Sequence, residues 1–593
     1  MKKFKQFLTI LLFSNMWIHV QSQYTLPNSE VNRIDSIMNQ LMTKYNITGS
    51  SIAIVDNNQI AYAKGYGFAD RKTKVAATEN TIYNIGSITK TFTALAIMKL
   101  YEEKKIDLNK SAKDYLPELK MNSLVENGDI LKIKNLLTHT SGLPDDIKNG
   151  MLCNEVISFW TVIEELNKQV LTQPANQKMN YSNIGYDLLG LIIERVSGKK
   201  YEDYIRENIL NTLSMTNTSF EQKLDDPHYS KAYIKDSTET ENPKLRDVPA
   251  GGLFSNTLDM SKFMMLLLND SLSGNNELVN SSTLQEMKTD HLSDVLLNCN
   301  SKFGYGLFIE KMRFAEDSII GEFFGHAGDL NHHSTMFVVP KMNIGFIILS
   351  NSEKGHSFCN TALIKLSNEY IQEVKGIKLH RATNLAWSSK SVKNNITDYH
   401  ELIGRYNSGG ESFLELKGGN TKKLTLVQGK YKMRLKKYDD STNSYSISLL
   451  LLKLIPIKLK GTRFAFEKIG DNIFLKELDE GSKTAEYISV RDKSIPISEE
   501  WKNAVGKYKV TNEYKGNLQG VPTELNIINN KIVLTVNYPT LDVSEGYSFD
   551  QISDTIAAVD GIDRGCGMIM KILPNGHLYF SGYDLEKQID NKK

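Results

Sequence analysis

The chain has 593 residues, a formal charge of +2 and 40% hydrophobic residues. That length implies two or more domains, and the balanced charge, with no basic block interleaved with aromatics, excludes a dedicated nucleic-acid binder. Cys153, Cys299, Cys359 and Cys566 are scattered without paired metal-ligand spacing, which argues against a disulfide framework and leaves isolated buried thiols or one opportunistic disulfide.

The chain opens with Met1-Lys2-Lys3-Phe4-Lys5, an apolar run from Phe7 to Phe13, and Val20-Gln21-Ser22. This reads as a secretory signal peptide over residues 1–22, with a mature chain starting near Gln23 in the periplasm or the medium. The apolar run is too short for a membrane span, and no cysteine follows it to carry a lipid anchor.

Residues 23–376 mix strand-like runs, beginning with Ser51 to Val55, with long amphipathic stretches, and read as one large α/β unit. A helix is expected from Ile82 to Glu103, and within it lies Gly86-Ser87-Ile88-Thr89-Lys90. A spacing of three puts Ser87 and Lys90 on one helical face, so the amine can take or hold the hydroxyl proton. The positive end of the helix dipole lies beside the same oxygen. Further on, His139 stands in the polar turn Leu137-Thr138-His139-Thr140-Ser141-Gly142 and reads as a structural hydrogen-bonding residue. No Gly-x-Ser-x-Gly elbow supports a Ser-His-Asp triad.

Asn180-Tyr181-Ser182-Asn183 precedes a helical run from Tyr186 to Val196. Held near Ser87 and Lys90, the Tyr181 phenolate can act as general base, and Asn183 supplies an amide to orient Lys90 or a substrate carbonyl. A second Ser-x-x-Lys, Ser197-Gly198-Lys199-Lys200, follows that run; Ser-Gly there is a helix stop and the lysines a solvated last turn. Gly325-His326-Ala327-Gly328-Asp329 precedes a strand from Ser334 to Val339. Its small residues permit a substrate to lie antiparallel along it, with the Asp329 N–H as an oxyanion donor. Asn331-His332-His333 offers no third ligand at suitable spacing and reads as loop. A strand from Ile344 to Leu349 and a helix from Asn360 to Val374 close the unit.

Residues 377–397, polar and rich in serine, lysine and asparagine, read as a linker. From 398 to 593 short alternating strands separated by Gly, Asn and Asp turns predict an all-β region, with Leu449 to Ile455 as a buried strand. Ile403-Gly404-Arg405-Tyr406 and Val505-Gly506-Lys507-Tyr508 echo each other. The echo fits two related units, 398–495 and 496–593, or two halves of one barrel.

In order, Ser87-Ile88-Thr89-Lys90, His139-Thr140-Ser141-Gly142, Tyr181-Ser182-Asn183, Pro249-Ala250-Gly251-Gly252 and His326-Ala327-Gly328 resemble the serine β-lactamase and penicillin-binding-protein-like family. The branch is that of class C β-lactamases, DD-peptidases, D-aminopeptidases and related esterases. The resemblance implies an α+β fold, an antiparallel sheet flanked by helices beside an all-helical subdomain, and the C-terminal region looks like appended lipocalin-like domains. It implies Ser87 as nucleophile, Lys90 and Tyr181 as proton handlers, and Asn183, His326 and Gly328 as substrate-orienting residues. The backbone N–H groups of Ser87 and Asp329 form the oxyanion hole, with no metal or cofactor.

The expected substrate is a small peptide, amide or ester, cell-wall fragments included. Where many β-lactamases carry Lys-Thr-Gly, this chain has His326-Ala327-Gly328, and Asp329 adds a negative charge. Histidine at this position resembles the DD-peptidase, D-aminopeptidase and esterase members, which ranks peptidase or esterase chemistry above β-lactam hydrolysis, and the Asp329 charge disfavours anionic substrates and so raises the esterase over the carboxypeptidase. A non-catalytic wall- or ligand-binding protein is the alternative of another class, but such a role would not require Ser87, Lys90 and Tyr181 together.

Overall fold

The computed structural model describes residues 26–588 apart from 126–130, 224–225, 235–237, 241–242, 270–277, 296, 298–300, 314–318, 378–395, 397–398, 408–412, 419–423, 429–430, 440–443, 452–454, 470–471, 480–483, 492–494, 516–519, 529, 539–542 and 560–565. The expected signal segment and nearly all of the expected linker lie outside the described residues. Among the described residues, no helix is long and apolar enough to cross a membrane.

The N-terminal unit is built on an antiparallel sheet. Its strands are β1 (Gly49–Asp56), β2 (Gln59–Asp70), β3 (Val75–Ala76), β4 (Lys302–Phe303), β5 (Phe308–Arg313), β6 (Ile319–Asp329), β7 (His333–Val339) and β8 (Ile344–Ser350). Their order is β4-β5-β6-β7-β8-β1-β2-β3. Successive strand residues point to opposite faces. Ala53, Val55, Met336, Val338, Ile347 and Leu349 enter one core, while Ile52, Ile54, Phe337, Val339, Phe346 and Ile348 enter a second on the other face. Two buried faces explain why these strands read as continuous apolar runs.

Helix α1 (Asn28–Tyr45) covers the second core through Ile34, Met38 and Leu41, at helical spacing. On the first core sit α2 (Thr89–Glu102), α3 (Asn183–Ser197) and α4 (Thr257–Asn269). Every residue of α2 from Thr89 to Met98 is buried, the pattern of a helix threaded through a core. It starts later than the expected Ile82, because Tyr83–Asn84 pair as a short strand with Phe254–Ser255 and Gly86 takes a positive φ of 51°. A 3-10 turn, Gly86–Ile88, then leads into α2. The closing helix α5 (Gly355–Glu373) begins before the expected Asn360, since Phe358 and Cys359 already belong to its buried face.

The C-terminal region is all-β and forms two closed eight-stranded barrels, with strands from Gly404–Asn407 to Thr484–Arg491 and from Gly506–Val510 to Tyr583–Lys587. The sequence echo marks the same feature in each. The hydroxyl of buried Tyr406 donates to the Leu402 carbonyl at 2.7 Å, and that of Tyr508 to the Ala504 carbonyl at 2.5 Å. Each tyrosine thus staples its first strand to the short helical turn before it. The run Leu449 to Ile455 is not one strand: Leu451 ends a strand and pairs with Ile455 on the next.

Candidate active site

Ser87 lies in the 3-10 turn at the entrance to α2, and Lys90 in the first turn of that helix. Lys90 Nζ donates to Ser87 Oγ at 3.1 Å and to the Ala250 carbonyl at 2.7 Å. The same nitrogen stands 4.9 Å from the centre of the Tyr181 ring and 5.6 Å from that of Tyr186. Tyr181, distant in sequence, is therefore brought to the serine and the lysine. The second Ser-x-x-Lys is elsewhere: Ser197 ends α3, Gly198 caps it in the left-handed conformation, and Lys199 pairs with Glu207 on the surface.

His139 brackets Tyr181. Its carbonyl accepts from Asn180 N at 2.7 Å, its Nδ1 accepts from Ser182 N at 3.0 Å, and its ring lies 4.2 Å from that of Tyr181. Ser182 then caps α3, its Oγ accepting from Gly185 N at 3.0 Å. A buried histidine thus serves as scaffold for the tyrosine. Asn183 lines the cavity, and its amide donates to Asp146 Oδ1 at 2.6 Å.

The end of β6 closes against the serine turn. A Cβ on Gly86 would sit 2.9 Å from Asp329 N, and one on Gly328 only 2.0 Å from the Ile85 carbonyl oxygen. Gly328 therefore faces Ile85, permitting a close approach that puts the Asp329 backbone nitrogen beside Ser87. The Asp329 carboxylate accepts from His333 Nδ1 at 2.6 Å and from His356 Nδ1 at 2.9 Å. Although burial opposes ionisation, these imidazoles and their hydrogen bonds hold its carboxyl below the usual range.

His326 is buried, and its Nδ1 lies 2.6 Å from the Ala327 carbonyl, so Nδ1 carries the proton and Nε2 is an acceptor. Nε2 has no hydrogen-bond partner among the described residues. Burial, reinforced by nearby Lys90, pushes the His326 pKa down to about 3. The imidazole is neutral at any ordinary pH.

A cavity of about 720 Å³ joins these groups, within the range of roughly 300–1,000 Å³ usual for small-molecule sites. Its described lining includes the carboxylates of Asp247, Glu310 and Asp329 and no lysine or arginine. Asp247 leads into a buried charged cluster: Arg246 Nε donates to Asp247 Oδ1 at 2.6 Å, and its other nitrogens hold the carbonyls of Ile147 and Asn149. Burial, with the neighbouring Asp247, pushes the Asp187 carboxyl well above the usual carboxylate range.

Sequence reasoning assigned no role to the Ala250 carbonyl, to Asp146 or to Asp247. The signal for the first was present in Pro249-Ala250-Gly251-Gly252, since a Cβ on Gly190 of α3 would meet Pro249 Cγ at 2.3 Å. That packing fixes where the Ala250 carbonyl points.

Protein flp of Staphylococcus aureus (strain MRSA252) is 32% identical over 334 residues, a match covering 55% of this chain and 64% of that protein. Beta-lactamase-like protein 2 of Dictyostelium discoideum is 29% identical over 334 residues, covering 54% of this chain and 58% of the other. The chain thus spans less than two thirds of the length of these relatives. The octameric penicillin-binding protein homologue from Pyrococcus abyssi aligns with a TM-score of 0.51 at 25% identity, over 78% of this chain and all of that one. SurE, solved with D-Leu, aligns over the same shares with a TM-score of 0.53 at 17% identity, a likeness of fold alone. Residues 34–366 match the family model described as Beta-lactamase, more than half of the chain, and the protein belongs to that family.

Proposed function

We propose that the protein is an exported serine hydrolase that cleaves an amide or ester through an acyl-Ser87 intermediate, in the manner of a DD-peptidase, D-aminopeptidase or esterase. The observation that carries this reading is the 3.1 Å hydrogen bond from Lys90 Nζ to Ser87 Oγ beneath the Tyr181 ring. Ser87 Oγ attacks the substrate carbonyl carbon while its proton passes to the Lys90–Tyr181 pair. The oxyanion is stabilised by the N–H groups of Ser87 and Asp329. Collapse expels the amine or alcohol, which takes that proton, and water then cleaves the acyl ester to release the acid. The neutral His326 supplies no cation for a substrate carboxylate, which supports an ester or an uncharged amide over a β-lactam or a peptide with a free C-terminal carboxylate.

Incubation with a fluorophosphonate or fluorescent penicillin, followed by intact-mass analysis, tests this. One adduct per chain is expected on the wild type and none on Ser87→Ala. Equal labelling of both, or labelling of neither, refutes the mechanism. Turnover of a chromogenic cephalosporin, as opposed to slow acylation, would move the protein to the β-lactamases.

A further inference from the structure

The cavity does not stop at the serine. Strand β5 pairs with β6 only as far as Phe308 opposite Gly325, so His326 to Asp329 form a free edge among the described residues. The cavity wraps around this edge. On one face lie Ser87, Tyr181 and His326; on the other, across Ala327, it is floored by Phe323 and Phe337 and walled by Leu363 and Ile364 of α5. The two phenylalanine rings pack with centroids 4.9 Å apart. Ile364, at the outer rim of that wall, is 60% exposed.

Three polar side chains of this far side are already engaged. Thr335 Oγ1 donates to Asn360 Oδ1 at 3.0 Å, Asn360 Nδ2 meets His356 Nε2 at 3.1 Å, and Ser367 Oγ donates to the Ile364 carbonyl at 3.2 Å. The nearby charges are the carboxylates of Asp329 and of Glu310, which pairs opposite Phe323 and so shares its face, and both repel an anion. A substrate lying along the free edge would carry its reacting carbonyl on the Ser87 side and reach across Ala327 with one arm.

We propose that the α5 side of the cavity is a subsite for an uncharged alkyl or aryl arm of the scissile amide or ester, and that it excludes a carboxylate there. Burial of that arm against Phe323, Phe337, Leu363 and Ile364 supplies apolar binding energy. The subsite rests on the reading of Ser87 as nucleophile.

The test uses the full-length protein, wild type and Ile364→Lys, and two matched ester pairs. Phenyl hexanoate against the phenyl monoester of adipic acid places a carboxylate on the acyl arm. Phenyl acetate against 3-acetoxybenzoate places it on the alcohol arm. The wild type is expected to favour the neutral member of the pair whose variable arm enters the subsite by roughly tenfold or more in kcat/KM, and Ile364→Lys to erase or reverse that preference in the same pair. Because Ile364 is exposed, the variant should fold, which fluorophosphonate labelling of Ser87 verifies. Labelled variant protein with both ratios unchanged overturns the subsite alone. Wild-type protein that is neither labelled nor active overturns the hydrolase reading, and the subsite with it.

Discussion

Burial keeps two imidazoles of the N-terminal unit neutral, His326 at about 3 and His332 at about 4, against an ordinary value near 6.5. Between those values the unfolded chain binds more protons than the folded one, so the unfolding free energy rises with pH through this window and is lost as pH falls below about 6.5. His332 is the cleaner probe, because its Nδ1 accepts from Asn84 N at 3.0 Å and it does not line the cavity. Urea-unfolding midpoints should fall from pH 6.5 to 4.5, and less steeply in His332→Gln; an unchanged slope would count against this. At this scale the sequence was informative where chemistry is local. Ser87 and Lys90 are one helical turn apart and could be read together, whereas His139 and Tyr181 become partners only through contacts made across the chain.

Elements decide whether those residues meet. The end of β6 approaches the serine turn because Gly328 has no side chain to strike the Ile85 carbonyl, and Ser334 Oγ pins that carbonyl at 2.8 Å. Gly328→Ala should cost about 1–3 kcal/mol of stability through overpacking. It should also lower kcat/KM by roughly 10²–10³ by moving the Asp329 N–H from the developing oxyanion. Thermal unfolding and steady-state hydrolysis measure the two effects; a folded variant with unchanged kcat/KM would remove Asp329 N from the oxyanion hole. The sheet strands were legible in the sequence because alternation and apolar content are local properties. The start of α2 was not, since the Tyr83–Asn84 strand exists only by pairing with Phe254–Ser255, far along the chain.

For the molecule as a whole, the second barrel is bound to the loops that carry the site. Lys148 N donates to Ser581 Oγ at 2.9 Å, and Asn149 Nδ2 to the Asn512 and Gly582 carbonyls at 3.1 and 3.0 Å. Lys148 Nζ reaches the hydroxyls of Tyr538 and Tyr547. Asn180, next to Tyr181, donates through Nδ2 to the Leu143 carbonyl at 2.9 Å and to the Cys566 carbonyl at 2.8 Å. Asn149→Ala should therefore cost about 1–3 kcal/mol, the penalty of breaking buried hydrogen bonds. Faster amide exchange around residues 579–585 and a lower kcat at similar KM are expected. Exchange at the wild-type rate would show that these bonds do not hold the barrel in place.

By itself, the sequence determined that this chain carries a serine–lysine pair at a helix entrance, the ordered motifs of its family and an all-β C-terminal region. Spacing and periodicity are properties of neighbouring residues, and they survive without knowledge of the fold. Tertiary structure alone decided that the β echo is two closed barrels, that His326 is a neutral acceptor, and that the cavity continues around a free sheet edge to α5. Each of these depends on burial or on pairing between residues far apart in the chain. Desolvation and strand closure are set by what surrounds a residue in space.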